Sequence, residues 1–96
     1  MKHAGSTALD ELEPLLVQVR ALAALKERRR GSFDSRFRVT LHFHEDPAGL
    51  FADLRAGGET VRLPVNDDVQ RADLISRLTA GIATQRPSKI HAPSPL

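Results

Sequence analysis

The chain has no cysteine, no tryptophan and no tyrosine among its 96 residues, and its aromatic complement is four phenylalanines. Without cysteine there is no disulfide framework, no thiol nucleophile and no zinc site of the cysteine-bearing kind. Long apolar runs are missing too. The longest, Ala21 to Leu25, spans five residues, far short of the ~20 that a membrane-crossing helix needs. The opening Met1-Lys2-His3-Ala4-Gly5 holds no apolar stretch of signal-peptide length, so a cytoplasmic location is expected. A one-sided charge is nearly absent: fourteen Lys and Arg face twelve Asp and Glu. Residues 84–96 hold Arg86, Lys89 and no acid, which leaves twelve bases against twelve acids in residues 1–83. A neutral body does not advertise nucleic acid or an anionic membrane as partner. One local exception is the set Lys26, Arg28, Arg29, Arg30, Arg36 and Arg38, six bases opposed within that stretch only by Glu27 and Asp34.

What is present is periodicity. Leu12, Leu15, Leu16, Val19, Leu22 and Ala23 recur at three- and four-residue steps, which predicts a first helix running to about Leu25. Asp10 is its expected N-cap, with Glu13 completing a capping-box spacing and Pro14 in the first turn. From Arg29 the period changes to two. Phe33 marks a short strand before the turn Asp34-Ser35-Arg36, and Phe37, Val39, Leu41 and Phe43 then alternate with Arg38, Thr40, His42 and His44. Turn-forming residues follow from Glu45 to Gly49. Leu50, Ala52 and Leu54 alternate with Phe51, Asp53 and Arg55, Gly57-Gly58 signals a hairpin, and Val61, Leu63 and Val65 return on the inner face. A second helix is expected after a cap at Asn66 or Asp67, with a stripe of Val69, Ala72, Ile75, Leu78 and Ile82 and an end at Gly81.

Two registers follow from matching faces. Centring the last hairpin on Gly57-Gly58 sets Leu54 opposite Val61, Ala52 opposite Leu63 and Asp53 opposite Arg62. In the preceding hairpin, Phe43 is expected opposite Leu50 and Leu41 opposite Ala52. The outer row then reads His42, Phe51, Pro64. The predicted fold is α+β in two layers, a four-stranded antiparallel meander flanked by an N-terminal and a C-terminal helix packed on one face. The expected organisation is a flexible segment 1–8, one domain over 9–83, and a disordered tail rich in Pro and Ser over 84–96. At this size folding buries only about 60–65% of the chain's surface, so dimerisation would add stability.

Chemistry concentrates in Leu41-His42-Phe43-His44-Glu45-Asp46. Strand residues i and i+2 share a face about 6.5–7 Å apart, so His42 and His44 can turn onto one divalent transition metal. Carboxylates from Asp53, Glu45 or Asp46 would complete the ligands. The same residues admit a purely structural account. Polar strand positions accept histidine, Asp53 stands opposite Arg62, and Glu45 and Asp46 shape a turn. His3 and His91 fall outside the domain and serve as references that a metal should leave alone. No Ser or Cys is spaced as a nucleophile, no phosphate loop is present, and an open sheet face lacks the concavity of an active site; no catalytic residue is assigned. Arg38, Arg55, Arg62 and Phe51 share the outer face, which would suit single-stranded nucleic acid. Equally, Phe51 is the apolar centre of a protein or homodimer contact.

The segment from Thr40 to Leu54 carries a resemblance. With its LHFHEDPAG strand-turn-strand the chain resembles a group of small uncharacterised bacterial proteins, over most of residues 9–80. More loosely it is similar to the luciferase-domain family, which also has a His-x-His strand followed by an Asp-Leu strand, and its helix–meander–helix order resembles the MmcQ/YjbR-like domains. The Gly-Trp segment of the luciferase-domain family has no counterpart here, since the chain lacks tryptophan. The resemblance carries over no catalytic assignment; it marks His42, His44 and Asp53 as residues to test together. The expected function is a non-enzymatic binding or protein-interaction module working through the outer sheet face. Metal binding through the His-x-His pair and single-stranded nucleic-acid binding through the basic face are the alternatives.

Overall fold

Alternation of apolar and polar residues from Leu41 to Leu63 produces the antiparallel ladder it predicts. In the computed structural model, which describes residues 1–85, six strands and two helices follow in the order β1 (Lys2–His3), α1 (Ser6–Arg20), β2 (Lys26–Arg29), β3 (Ser32–Asp34), β4 (Thr40–Asp46), β5 (Gly49–Ala56), β6 (Glu59–Pro64) and α2 (Asp68–Gln85). The sheet order is β2-β3-β4-β5-β6, and β1 adds to β4 on the edge that β3 leaves unused. The fold is α+β, with two more strands than the expected four. Neither extra strand has an apolar alternation to betray it: β1 is two residues long, and β2 is a charged edge strand with Lys26, Arg28 and Arg29 exposed and Glu27 half-buried.

The core lies between the sheet and both helices. Leu12, Leu15, Leu16 and Val19 of α1 are fully buried with Leu41, Ala52, Leu74 and Leu78. The α1 stripe runs further back than expected, through Ala8 and Leu9, so the helix starts at Ser6 rather than after Asp10. No neighbouring side chain caps it. Instead Glu45, reaching from β4, accepts a hydrogen bond from the Gly5 N–H at 2.6 Å. Residues 1–8, expected as a flexible lead-in, thus hold β1 and the first turn of α1. Pro14 consequently lies in the helix interior, where its ring leaves the Asp10 carbonyl without an amide donor. The helix stops at Arg20, not Leu25, because the chain turns through Ala21–Ala24 to set Leu25 in the core ahead of β2.

The β5–β6 register is the expected one, with Leu54 opposite Val61, Ala52 opposite Leu63 and Asp53 opposite Arg62. The β4–β5 register is not. Phe43 faces Ala52, Leu41 faces Leu54 and His44 faces Phe51, a displacement of two residues that keeps every side chain on its expected face. Two-residue periodicity cannot sense such a shift; the turn decides it. The turn residues are Pro47 and Ala48, putting proline at the first corner position, where its fixed φ belongs, with Asp before it and Gly after. Asp46 accepts from the Ala48 N–H at 3.0 Å, and Gly49 has φ +135°.

Asp67 caps α2, accepting from the Gln70 N–H at 2.8 Å, while Gln70 reaches back to the Asn66 N–H. The buried stripe is Leu74, Leu78 and Ile82, rotated from the expected one; Ile75 packs at its edge, and Val69 is 79% exposed. Gly81 does not end the helix. It lies inside α2, facing the Ala56 methyl. The expected tail loses Thr84 and Gln85 to α2, and its remainder lies outside the described residues. Among those residues no helix is long and apolar enough to cross a membrane.

Asn66 locks β5 to the start of α2. Its side-chain amide accepts from the Leu50 N–H at 2.8 Å and donates to the Leu50 carbonyl at 3.2 Å. Asn66→Ala orphans a half-buried backbone donor and should lower stability by about 1–3 kcal/mol. The urea midpoint would drop at unchanged m-value; a wild-type midpoint would show that the clasp is dispensable.

Candidate functional site on the open sheet face

Both helices cover the inner face of the sheet, so the outer side chains stand in cross-strand rows. The first row is Asp34, Thr40, Arg55, Thr60; the second is Ser32, His42, Asp53, Arg62; the third is His3, His44, Phe51, Pro64. The expected row of His42, Phe51 and Pro64 is corrected by the two-residue register displacement: His44 takes the place beside Phe51, and His42 stands beside Asp53.

Asp53 is the hub. Arg62 grips it in a two-pronged pair, Nε to Oδ1 at 2.7 Å and Nη2 to Oδ2 at 2.8 Å. His44 Nε2 lies 3.2 Å from the same Oδ2, with the His44 and Asp53 side chains only 14% and 18% exposed. The Arg62 guanidinium holds the Asp53 carboxyl below the usual carboxylate range. An ionised carboxylate can only accept, so the facing Nε2 of a neutral His44 carries its proton and Nδ1 is left as a bare lone pair. That Nδ1 is buried and has no hydrogen-bond partner among the described residues. Burial pushes the His44 imidazole below its ordinary value, outweighing the opposing pull of Asp53; His3, Arg62 and His42 push the same way as burial.

The other imidazoles close around it. The His3 ring stacks on His44 with centres 4.7 Å apart and planes inclined at 28°, and lies 6.1 Å from the His42 ring. His42 Nδ1 is 3.1 Å from Ser32 Oγ. An open depression of about 270 Å³ is lined by the three histidines with Asp53, Thr40, Arg55 and Thr60.

Of the residues singled out from sequence, His42, His44 and Asp53 do come together. Glu45 and Asp46 do not join them. Glu45 is engaged by the Gly5 amide at the start of α1, and Asp46 by its own turn. Phe51 is half-buried between His44 and Pro64, and Arg62 is committed to Asp53. Arg55 is exposed beside the depression, while Arg38 sits in the turn before β4 with φ +66°. His3 is the residue that sequence reasoning set aside. A two-residue strand leaves no periodic signal; the only hint was the charge match of Lys2 with Glu45, which stand opposite one another. With rings that stack rather than converge, no group of three His, Asp or Glu among the described residues stands ready to hold a metal ion.

Two of the six bases in the local excess are paired. Arg28 pairs with Asp34, and Arg30 reaches Asp10 and Glu13 of α1 at 2.8 and 3.0 Å. No family model matches the chain, and no curated protein or solved structure matches it significantly.

A pH dependence follows from His44. Its folded-state value is depressed, so above pH about 6.5, the ordinary histidine value, its contribution to stability is fully present. Below that the unfolded chain takes up the proton first, and the contribution is lost as pH falls through the folded value. Asp53, also depressed, adds a second loss that begins only below about pH 3.9. In chelator-containing buffer, His44→Gln should flatten urea midpoints between pH about 6.5 and 5 relative to wild type; parallel curves would contradict this account.

Proposed function

We propose that the chain is a small cytoplasmic binding module whose working surface is the open face of the sheet. The observation that carries this reading is the row Ser32-His42-Asp53-Arg62, laid across four strands on the face that neither helix covers. Here the bidentate Asp53–Arg62 pair and the stacked His3 and His44 rings present a preorganised surface, and preorganisation lowers the entropic cost of association. Phe51 beside Pro64 gives that surface an apolar centre, and Arg55 gives it an exposed cation at the margin.

The partner of this surface is a protein, and a second copy of the chain is the first to test. Sedimentation equilibrium over a concentration series should show a monomer–dimer exchange, and amide shifts with concentration should map to the outer positions of β4, β5 and β6. Phe51→Asp should leave a folded monomer at all concentrations. A wild-type chain that stays monomeric, with outer-face amides unmoved, overturns self-association. Binding of a single-stranded oligodeoxythymidylate that falls steeply with salt and with Arg55→Glu would assign the face to nucleic acid instead.

A further inference from the structure

His3, His42 and His44 come from two strands that meet only because β1 adds to β4. His42 and His44 lie two apart on one face, and His3 stands directly opposite His44, where cross-strand Cβ atoms are about 4.5–5.5 Å apart. Three imidazoles with a fourth position open to solvent are the donor set of a zinc ion that keeps an exchangeable ligand. Two further observations point to a cation here. His44 Nδ1 is buried with no hydrogen-bond partner among the described residues, and its lone pair suits a cation or a proton donor rather than an anion. Behind the same ring, Asp53 sits 3.2 Å from Nε2 and is itself clamped by Arg62. A carboxylate behind one ring nitrogen fixes the tautomer that offers the other nitrogen to a metal. Ser32 Oγ lies 3.1 Å from His42 Nδ1, so Nε2 is the nitrogen of that ring left for a metal.

We propose that His3, His42 and His44 bind one divalent transition-metal ion, with Asp53, held by Arg62, as the positioning residue for His44. In the structure the rings stack, so binding requires the His3 ring to swing off His44 until three nitrogens converge. His3 is exposed and lies in a two-residue strand, so the movement disturbs little packing. The ligand set differs from the one expected from sequence. Glu45 and Asp46 are replaced by a histidine from outside the motif, and Asp53 moves from ligand to support.

The test is a titration of the full chain with zinc alone, followed on the imidazole carbons, and with cobalt(II) alone, followed by its visible absorption. Both are run at concentrations where the chain is monomeric, so this proposal and the self-association reading fail separately. One equivalent of zinc should shift His3, His42 and His44 together and leave His91 in place, and cobalt should give the intense bands of a tetrahedral site. His3→Ala, which removes an exposed ring and leaves the fold intact, should abolish the tetrahedral cobalt spectrum. Asp53→Asn should keep the spectrum and weaken affinity by roughly 10–100-fold, the usual effect of losing an outer carboxylate. The proposal is overturned by the absence of a saturable response, by a response confined to His3, or by zinc affinity that survives His3→Ala unchanged. An Asp53→Asn affinity equal to wild type would remove the positioning role.

Discussion

Everything on the open face depends on where the β4–β5 hairpin turns, because the corner at Pro47 and Ala48 decides which side chain stands beside which. Hydrophobic burial leaves this undetermined. Moving the corner by one residue displaces the pairing by two, and Leu41 and Phe43 still meet apolar partners. Under that alternative pairing Asp53 would lie opposite Thr40, and His44 would lose its carboxylate neighbour. Turn chemistry, the Asp46 side chain on the Ala48 amide and the Asn66 clasp on Leu50 select the pairing that is found. The His44–Asp53–Arg62 contact is therefore a consequence of a proline three residues from the nearest histidine.

A second set of interactions places the third strand. Arg20 of α1 reaches Glu13 at 2.6 Å and Glu27 at 2.7 Å, Arg30 joins Asp10 and Glu13, and Glu27 also accepts from the Gly31 N–H. The arginines hold Glu13 and Glu27 below the usual carboxylate range. Each exposed pair contributes little, being screened by solvent, but the network brackets the β2–β3 hairpin against the helix. Gly31 completes the approach. It has φ +81°, and a Cβ there would meet a Leu9 methyl at 2.6 Å. Through this bracket Ser32 arrives beside His42.

The legible parts of the fold were those written in apolar periodicity: α1's central turns, the β5–β6 hairpin, and the outward direction of His42, His44 and Asp53. Three features escaped for separate physical reasons. The β4–β5 displacement was invisible because two registers bury the same residues. The rotated α2 stripe was missed because Val69 and Ala72 match helical spacing as well as Leu74 does, and only contact with β5 and β6 separates them. β1 and β2 were missed because strands held at an edge by backbone hydrogen bonds need no greasy face. His3 belongs to this last group, so its place beside His44 could not be read from the chain. The pairing of Asp53 with Arg62, by contrast, followed from charge and turn position alone.

The irregularity in β2 has a bearing on how copies of this chain behave when crowded. Between Glu27 and Arg29 the ladder slips, leaving an unmatched residue in the outermost strand. Such a slip twists an edge away from flat pairing. The strand also carries Lys26, Arg28 and Arg29 outward, so two copies approaching edge to edge would bring cations together. At the opposite margin, β6 closes on Pro64, which offers no amide hydrogen. The sheet is thus guarded at its β2 and β6 margins against growing into a fibre, which leaves its open face free to stay exposed without those edges templating aggregation.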